Sequence, residues 1–362
     1  MLREIKSHQP ISRAQIARNL GLGKSTVSNI VEDLVARKVV LHLGERSANG
    51  SGGRPAPEFG FNPKSGYGLG IDIGGTKIQI LITDLLGEVA GSRRFETTNS
   101  VPRIVEMARE VLAESGIPEQ AILALGVGVP GTVNSGVVLR AKALSWTNYD
   151  LYSALREHFS FPIFINNDVN NAALGERWLG SGEFSDELFF ISLGTGIGSA
   201  IVTNGNIVYG ANQRAGEISY TVNRSDLDSG NLNILGQHGV LERRISGYAL
   251  SQHGCEPKEL FQRYSEGEPK AVRVIEDMVA DLSVLISNVV SLLNPSTVVI
   301  GGGIAESLDV VLDRIRETVA GLTPIPTTIR LASLGTLAGA YGAVAFAIEQ
   351  IELGDVEIGA ST

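Results

Sequence analysis

"YGLGIDIGGTKIQILITDLLGEV", residues 67–89, holds two apolar runs that meet at a pair of glycines, Gly74 and Gly75. The pattern predicts a strand, a tight turn, a second strand and a further turn. A glycine hairpin lets backbone N–H groups approach a phosphate; Thr76 can add a hydroxyl, and Asp72 is placed to hold a metal ion or a water molecule. A lone glycine hairpin is usually only a turn, so the rest of the chain decides its meaning.

The same device recurs twice further along the chain. "FFISLGTGIGSAIVTNGNIVYG", residues 189–210, places four turn residues between two apolar segments, namely Gly194, Thr195, Gly196 and Gly198. "TVVIGGGIAES", residues 297–307, supplies a third turn that runs from a strand towards a helix and contains Gly301, Gly302 and Gly303. A glycine turn that opens a helix suits a nucleotide phosphate. Together these turns predict an α/β body that binds phosphate.

One glycine pattern is misleading. "GVGVPG", residues 126–131, formally matches the dinucleotide-binding pattern G-x-G-x-x-G. That pattern should open a helix, but the next residues, "TVNSGVVL", predict a turn and a strand. We therefore exclude a nicotinamide site. The sequence also lacks G-x-x-x-x-G-K-[ST], which excludes a P-loop protein.

The segment that can carry chemistry is "FPIFINNDVNNAALGERW", residues 161–178. A strand over Ile163 to Ile165 delivers Asn166, Asn167 and Asp168 at its end, and a helix follows from about Val169. An aspartate held by neighbouring amides at a strand end can accept a proton from a substrate hydroxyl. The alternative is a helix N-cap, for which Asp and Asn are favoured. Next to two phosphate hairpins, the general base is the better interpretation.

Composition indicates a cytoplasmic protein with a basic head and an acidic body. The 362 residues, 43% hydrophobic, suffice for two or three domains, and the single Cys255 excludes a disulfide framework. We expect no membrane contact, since "MLREIKSHQP" is no signal peptide and no apolar run reaches about 18 residues. Residues 1–60 hold nine Lys/Arg against five Asp/Glu, whereas the remainder holds 21 against 34, so nucleic-acid contact is expected in the head.

The head contains a predicted helix pair in residues 11–40, "ISRAQIARNLGLGKSTVSNIVEDLVARKVV". Ser12 is a plausible N-cap of the first helix and Ser25 or Thr26 of the second, which should turn Val27, Ile30, Val31, Leu34 and Val35 inward. Polar and basic side chains are the types that reach base edges and phosphates in a major groove. The candidates are Arg13, Lys24, Ser25, Thr26, Ser28 and Asn29. The alternative is a small helical hairpin without contact to DNA.

Two short strands are expected next, over "KVVLHLG" and "PEFGFN". Between them, residues 45–56 form either the wing of a winged helix-turn-helix or a linker. Arg54 is suited to a narrow minor groove, where the negative potential favours arginine, or else it belongs to a flexible tether.

In this order the segments resemble the ROK family (repressor, open reading frame, kinase), a branch of the hexokinase and actin-like ATPase superfamily. "DIGGTK", residues 72–77 and ending in Lys77, matches the family's first phosphate motif, and "LGTGIG", residues 193–198, matches the second. The glycines at 301–303 match the turn on the adenosine side. The resemblance covers essentially the whole chain, because the repressor subgroup also carries an N-terminal winged helix.

The sugar side of the family pattern is matched by two further segments. "GVGVPGTVN", residues 126–134, matches a signature strand and turn near the sugar. In "NNDVNNAALGE", Asp168 aligns with the general base that deprotonates the sugar hydroxyl, and Asn167 aligns with a sugar ligand. The resemblance thus implies ATP and Mg²⁺ on the glycine hairpins of a kinase-active member, with a sugar beside Asp168.

The resemblance also implies a domain order. We expect a winged helix-turn-helix over residues 1–61 and two ribonuclease-H-like lobes over 62–165 and 166–362. The C-terminal helix is expected to pack back on the first lobe.

Residues 216–245 carry the departures from the family. The family usually reads G-E-x-G-H and then C-x-C-G-x-x-G-C-x-E, in which the histidine and three cysteines bind a structural zinc. Those four positions hold Tyr220, Asn233, Leu235 and Val240 here. Since these residues make no tetrahedral site, we expect no zinc, and a loop held by packing of Leu235, Val240 and Leu241. We expect the sugar wall to consist of Glu217, Tyr220 and Glu242.

Three functions remain open at this point. A homodimeric, sugar-responsive transcription regulator comes first, because the winged helix precedes the sugar-kinase-like body. An ATP-dependent sugar kinase is the alternative, since Asp168 and both phosphate motifs are intact. A body that only dimerises is the third.

Overall fold

The computed structural model describes residues 1–46, 56–183, 185–230, 232–234 and 237–359 and contains two compact units. Unit 1 comprises residues 1–67 and 83–88, and unit 2 comprises residues 68–82 together with the chain from Val89 onward. Arg54 and Leu235, both named above, lie outside the described residues. No helix in the described ranges is long and apolar enough to cross a membrane.

Unit 1 contains the expected helix pair and strand hairpin. Its elements are α1 (Leu2–His8), β1 (Ile11–Ser12), α2 (Arg13–Leu20), α3 (Lys24–Ala36), β2 (Val40–Arg46) and β3 (Ala56–Phe61). The three strands form an antiparallel sheet in the order β1-β3-β2. A buried cluster holds helices and sheet together and includes Ile5, Ile16, Val27, Val31 and Phe59.

Local signals explain how α2 begins and ends. The hydroxyl of Ser12 accepts a hydrogen bond from the backbone N–H of Gln15 at 3.3 Å, so the predicted N-cap is confirmed. Gly21 ends the helix with a φ of +65°, in the left-handed region that glycine adopts at little cost.

The start of α3 differs from our expectation. The helix begins at Lys24 with Gly23 at the N-cap and no side-chain cap, so the predicted Ser25 or Thr26 cap is wrong. Both residues lie inside the first turn instead, with exposed side chains. The inward assignment of Ile30 is also wrong, because its side chain is 38% exposed. The buried stripe of the helix consists of Val27 and Val31.

The first half of unit 2 is built on a five-stranded sheet. In chain order its elements are β4 (Tyr67–Ile73), β5 (Lys77–Asp84), β6 (Val89–Glu96), α4 (Val101–Ser115), β7 (Ile122–Val129), β8 (Thr132–Asn134), β9 (Val137–Ala141), β10 (Trp146–Asp150), α5 (Leu151–Arg156), β11 (Ile163–Asn167) and α6 (Asp168–Leu179). The main sheet has the order β11-β7-β4-β5-β6, and β10-β9-β8 form a small antiparallel sheet. The predicted strand hairpin around Gly74 and the strand before Asp168 are confirmed.

The second half repeats the plan. Its elements are β12 (Leu188–Leu193), β13 (Ile197–Thr203), β14 (Asn206–Ile207), α7 (Arg224–Asp228), α8 (Glu242–Ile245), α9 (Gly247–Ser251), α10 (Pro257–Ser265), α11 (Pro269–Leu293), β15 (Thr297–Gly301), α12 (Leu312–Leu322), β16 (Thr328–Leu331) and α13 (Ala338–Gly359). The sheet order is β14-β13-β12-β15-β16, with β12, β15 and β16 parallel. The α/β fold class is thereby confirmed.

Each sheet is covered by helices that bury apolar side chains. One face of β12 packs with a stripe of α11 in an apolar cluster that includes Phe189, Ile191, Ile275, Met278 and Leu282. Burying such side chains stabilises the fold by roughly 1.5–3 kcal/mol each.

Helix α13 packs closely on α6 and on β7. A Cβ at Gly126 would overlap the carbonyl oxygen of Ala343, so only glycine lets the helix approach the strand this closely. This glycine of the misleading "GVGVPG" pattern therefore serves helix packing. The chain continues from β7 through a turn into β8, which confirms the reason for excluding a nicotinamide site.

Candidate functional site

Asp168 is the first residue of α6 and follows directly on β11. The N-cap is Asn167, whose Oδ1 accepts hydrogen bonds from the backbone N–H groups of Val169 at 2.9 Å and Asn170 at 3.1 Å. The amide nitrogen of Asn167 donates to Asp168 Oδ1 at 3.0 Å. The capping role thus belongs to Asn167, which leaves the Asp168 carboxylate oriented by its neighbour and able to act elsewhere.

Asp168 is well suited to exchange a proton near neutral pH. Burial raises the pKa of its carboxyl to about 7, although hydrogen bonds from the backbone and from Asn167 oppose the shift. A general base works best when its pKa lies near the working pH. The carboxylate lines two adjoining cavities, so it faces whatever binds in either.

The first of these, the main cavity, has a volume of about 690 Å³ and joins residues from distant parts of the chain. Most of the predicted phosphate and sugar residues line it: Gly75, Thr76, Asn167, Asp168, Gly194, Thr195, Gly196, Gly198, Glu217 and Glu242. A cavity of this size accommodates a small polar ligand.

The second, the aspartate cavity, has a volume of about 430 Å³ and is lined by Asp72, Asp168, Gly302 and Gly303 among others. Burial, and next the charge of Asp168, raises the pKa of Asp72 to about 8. Its Oδ1 is buried and has no hydrogen-bond partner among the described residues. A buried carboxylate oxygen of this kind fits a metal ion or its bound water.

Sequence reasoning missed Asn171, which adjoins this carboxylate. The Asn171 side chain is fully buried, and neither of its polar atoms finds a partner within the described part of the chain. A Cβ built on Gly128 would lie 2.9 Å from Asp72 Oδ1 and 3.1 Å from Asn171 Nδ2, so both groups face this point of β7. Buried polar groups normally have partners, so this place is suited to a bound polar group. The sequence carries no separate signal for it.

Glu242 reaches the main cavity from α8. A Cβ at Gly196 would overlap Glu242 Oε1, so the glycine of the second phosphate hairpin gives the carboxylate its place. Glu242 Oε2 lies 3.0 Å from Nδ1 of His238 and accepts the Gly239 N–H at 3.2 Å. On the same wall, the pKa of Glu217 is raised by partial burial and by repulsion from Glu242, against the attraction of Arg214. The cavity therefore offers carboxylates as acceptors for hydroxyl groups.

The loop at the family's zinc positions is held by hydrogen bonds. Asn233 Nδ2 donates to the Tyr220 carbonyl at 2.7 Å, and its Oδ1 accepts the Val240 N–H at 2.9 Å. Val240 and Leu241 are buried, as expected, although the expectation of packing alone omitted the Asn233 bonds. The Tyr220 hydroxyl donates to the Gln237 carbonyl at 3.3 Å, and Tyr220 is not among the residues that line the main cavity, so its part in the sugar wall stays a prediction.

Three other predicted cofactor residues also lie off both cavities in the described structure. Gly74 closes the hairpin through its N–H bond to the Lys77 carbonyl, and the Lys77 ammonium pairs with Glu96 at 3.3 Å. Gly301 ends β15 and packs against Phe190. The residues after the third turn form a 3-10 helix, Ala305–Val310, which is followed by α12. Gly303 lies close to the second phosphate hairpin, because Gly303, Gly194 and Thr195 line the same further cavity of about 510 Å³.

In unit 1, four of the predicted DNA-contacting side chains are exposed on α3, namely Lys24, Ser25, Thr26 and Asn29. Arg13 is engaged within the unit: it donates to Ser28 Oγ at 3.2 Å, pairs with Glu32 at 3.4 Å and stacks 5.0 Å from the Phe59 ring. Arg13 and Ser28 thus hold α2 against α3.

Comparison with known proteins identifies the class. Residues 68–350 match the model of the ROK family, so the chain belongs to this family and the resemblance stated above is confirmed.

Its relatives include regulators and kinases. A putative xylose repressor of Caldicellulosiruptor sp. (strain Rt8B.4) is 30% identical over 345 residues, which cover 88% of this chain and 86% of the relative. The N-acetylglucosamine repressor of Escherichia coli O157:H7 is 25% identical, with coverage of 88% and 82%. A glucokinase of Halalkalibacterium halodurans is 28% identical over 306 residues, covering 76% of this chain and 92% of its own.

Solved structures share the fold. A ROK family transcriptional regulator, a homolog of the E. coli MLC protein, superposes with a TM-score of 0.79 at 22% identity, covering 95% of this chain and 93% of its own. A ROK family glucokinase from Streptomyces griseus, in complex with glucose and AMPPNP, superposes with a TM-score of 0.65 at 26% identity, covering 78% and 100%.

Proposed function

We propose that this protein is a sugar-responsive transcriptional repressor that binds operator DNA through unit 1 and a sugar in the main cavity. One observation carries the proposal: a helix pair with a strand hairpin precedes a ROK body, residues 68–350, in one chain. The repressor relatives align over 88% of the chain, whereas the glucokinase aligns over 76%. The order of elements in unit 1 supports its interpretation as a winged helix-turn-helix.

The exposed face of α3 contacts the DNA in this proposal. Lys24, Ser25, Thr26 and Asn29 present one ammonium, two hydroxyls and one amide, which suit phosphates and base edges. Arg13 and Ser28 position this helix from within. Since one small helix-turn-helix supplies few contacts, a homodimer on two half-sites completes the proposal.

The sugar binds at the carboxylate-lined wall of the main cavity in this proposal. Asp168, Glu217 and Glu242 accept hydrogen bonds from hydroxyl groups, and Asn167 adds an amide beside Asp168. Because residues of both sheets line the cavity, a sugar that closes it moves one half of unit 2 against the other. Such a movement provides the coupling free energy that changes operator binding.

A binding selection with random DNA identifies the operator, and gel shifts then test the head. Lys24→Ala should weaken binding and reduce the slope of log K against log[salt] by about two, because each subunit of the homodimer loses one phosphate contact. Lys64→Ala, also exposed but paired with Glu88 outside α3, is the matched control. If Lys24→Ala binds operator like the parent chain, the assignment of α3 fails.

The sugar response is tested on the same operator. We expect an aldopentose, hexose or amino sugar to change the operator affinity of the parent chain, and Glu242→Gln to shift the response to higher sugar concentration. Operator binding that no sugar changes would reject the effector assignment and leave the DNA assignment standing.

A kinase is the second candidate, favoured by the raised pKa of Asp168 and its place in both cavities. The residues present fit a nucleotide with Mg²⁺, since Asp72 Oδ1 is buried without a partner and the glycine turns line the adjoining cavities. Bound ATP would supply the phosphoryl group. Asp168 would accept the proton of the sugar hydroxyl, and Asn167 would keep its carboxylate in position.

ADP release with sugars, ATP and Mg²⁺ tests this candidate. If the protein is a kinase, the parent chain should release ADP, and Asp168→Asn should lower the rate by a factor of at least 10². A sugar that raises the melting temperature without ADP release would reject the kinase and support sensing.

A further inference from the structure

A further cavity lies beside the main one, at the edge strand β11 of the first sheet. It has a volume of about 440 Å³, and we call it the aromatic cavity after the four rings that line it: Tyr152, Phe164, Tyr209 and Phe346. Phe164 comes from β11 and Phe346 from α13, with their centroids 6.4 Å apart in an edge-to-face arrangement. Tyr152 is 42% exposed, although it stands on the short helix α5 between buried leucines.

None of the residues that line this cavity carries a formal charge. Its polar side chains are amides and hydroxyls, including Asn134 and Gln213, in contrast with the three carboxylates of the main cavity. Burial raises the pKa of Tyr209 to about 12, so its phenol stays neutral and can donate or accept a hydrogen bond. The lining therefore suits a neutral ligand with both apolar faces and polar edges.

A buried amide in the lining supplies the second observation. Asn166 is only 3% exposed, and its side chain interacts with the Tyr209 hydroxyl, which opposes the rise in the pKa of that phenol. Its Oδ1 is taken by the Asn167 N–H at 2.9 Å and by Asn170 Nδ2 at 3.3 Å. The Asn166 side chain thus links Tyr209, which lines the aromatic cavity, to two residues that line the main cavity.

The two cavities share one wall. Gln213 lines both, and its backbone has a φ of +57°, in the left-handed region that costs a non-glycine residue free energy. Strand β8 also lies between the two cavities: Thr132 lines the main cavity, and the next residue, Val133, lines the aromatic cavity. A ligand in one cavity can therefore contact Gln213, which also faces the other cavity.

We propose that the aromatic cavity is a second carbohydrate site, which takes one uncharged sugar unit against Tyr152 and hydrogen-bonds it through the amides and hydroxyls of its lining, Asn134 among them. A sugar ring has C–H faces that pack on aromatic rings and hydroxyl edges that bond to amides. Anionic ligands are disfavoured, because the lining contains no cation to pair with them. The proposed function requires only the main cavity, so this site goes beyond it.

Isothermal titration of the full chain tests the site with D-xylose, D-glucose, N-acetylglucosamine and xylobiose as probes. We expect at least one probe to bind the parent chain at two sites. Tyr152→Ala should weaken one of them about tenfold, in keeping with the loss of an aromatic contact. Asp168→Asn should impair the other site and leave the Tyr152-dependent one in place.

Two further variants provide a second test of the site and a control. Asn134→Ala, which removes an exposed polar group of the same lining, should weaken the same site if Tyr152→Ala proves unstable. Leu292→Ala is the control, since this apolar side chain is 82% exposed and lines neither the aromatic cavity nor the main cavity.

A single site that is insensitive to Tyr152→Ala and Asn134→Ala overturns the proposal, and so does the absence of any probe binding. A Tyr152-dependent site without an Asp168-dependent one supports the proposal while rejecting the sugar assignment of the main cavity. The reverse result supports that assignment and rejects the second site.

Discussion

The buried carboxyl of Asp72 makes the stability of unit 2 depend on pH. Its pKa rises from 3.8 to about 8, first because burial desolvates the charged form and second because Asp168 lies nearby. Between these values the folded chain holds a proton that the unfolded chain has lost. The free energy of unfolding contributed by Asp72 is therefore greatest below pH 4 and is lost as the pH rises towards 8.

Asp72→Asn removes this titration while preserving the shape of the side chain. One unit of pKa difference corresponds to about 1.4 kcal/mol. The free energy of unfolding of the variant, relative to that of the parent chain, should therefore rise by about 3 kcal/mol between pH 5 and pH 7. The gain is a difference between two pH values, and any constant effect of the substitution on packing or hydrogen bonding cancels from it.

Urea unfolding without sugar, nucleotide or metal measures the effect. Both tryptophans, Trp146 and Trp178, lie in unit 2, so their fluorescence follows this unit alone. Asp313→Asn is the control, because its side chain is 88% exposed and should not change the pH profile. Parallel profiles for the parent chain and Asp72→Asn would refute the reasoning.

Three other substitutions test the packing and the capping. Gly342→Ala should destabilise unit 2 by about 2 kcal/mol or more in the same fluorescence assay, because its Cβ would overlap the carbonyl oxygen of Asn171; an unchanged midpoint would contradict the close packing of α6 and α13. Arg244→Met should cost about 3 kcal/mol by leaving the buried Asp226 unpaired, and adding Asp226→Asn should recover much of the loss. Ser12→Ala should cost about 1 kcal/mol in unit 1 by removing the N-cap of α2, as followed by far-UV circular dichroism; no loss would exclude a role for the cap.

Local signals in the sequence predicted most of the secondary structure that positions the site. The apolar runs around Gly74 and Gly194 predict strand hairpins because strands and glycine turns depend on a few consecutive residues. The same holds for Ser12, whose capping bond spans three residues. The start of α3 was misjudged because capping preferences are weak where Gly, Lys, Ser and Thr follow one another.

The family resemblance placed Asp168, Glu217 and Glu242 together, and they do line one cavity. It also placed Tyr220 on the sugar wall. The structure turns the Tyr220 hydroxyl to a loop carbonyl, because alignment transfers a position along the chain and not the direction of a side chain of different shape.

What the sequence alone determined is the order of elements, the glycine turns and the carboxylate that follows β11, since each of these rests on neighbouring residues. Tertiary structure alone decided that Glu242 fills the space beside Gly196, that Asn171 faces Asp72, and that Asn166 lines a second cavity. Those contacts join residues far apart in the chain or depend on the burial of single atoms. No periodicity records such contacts, because they arise only when the sheets, α6 and α13 have packed.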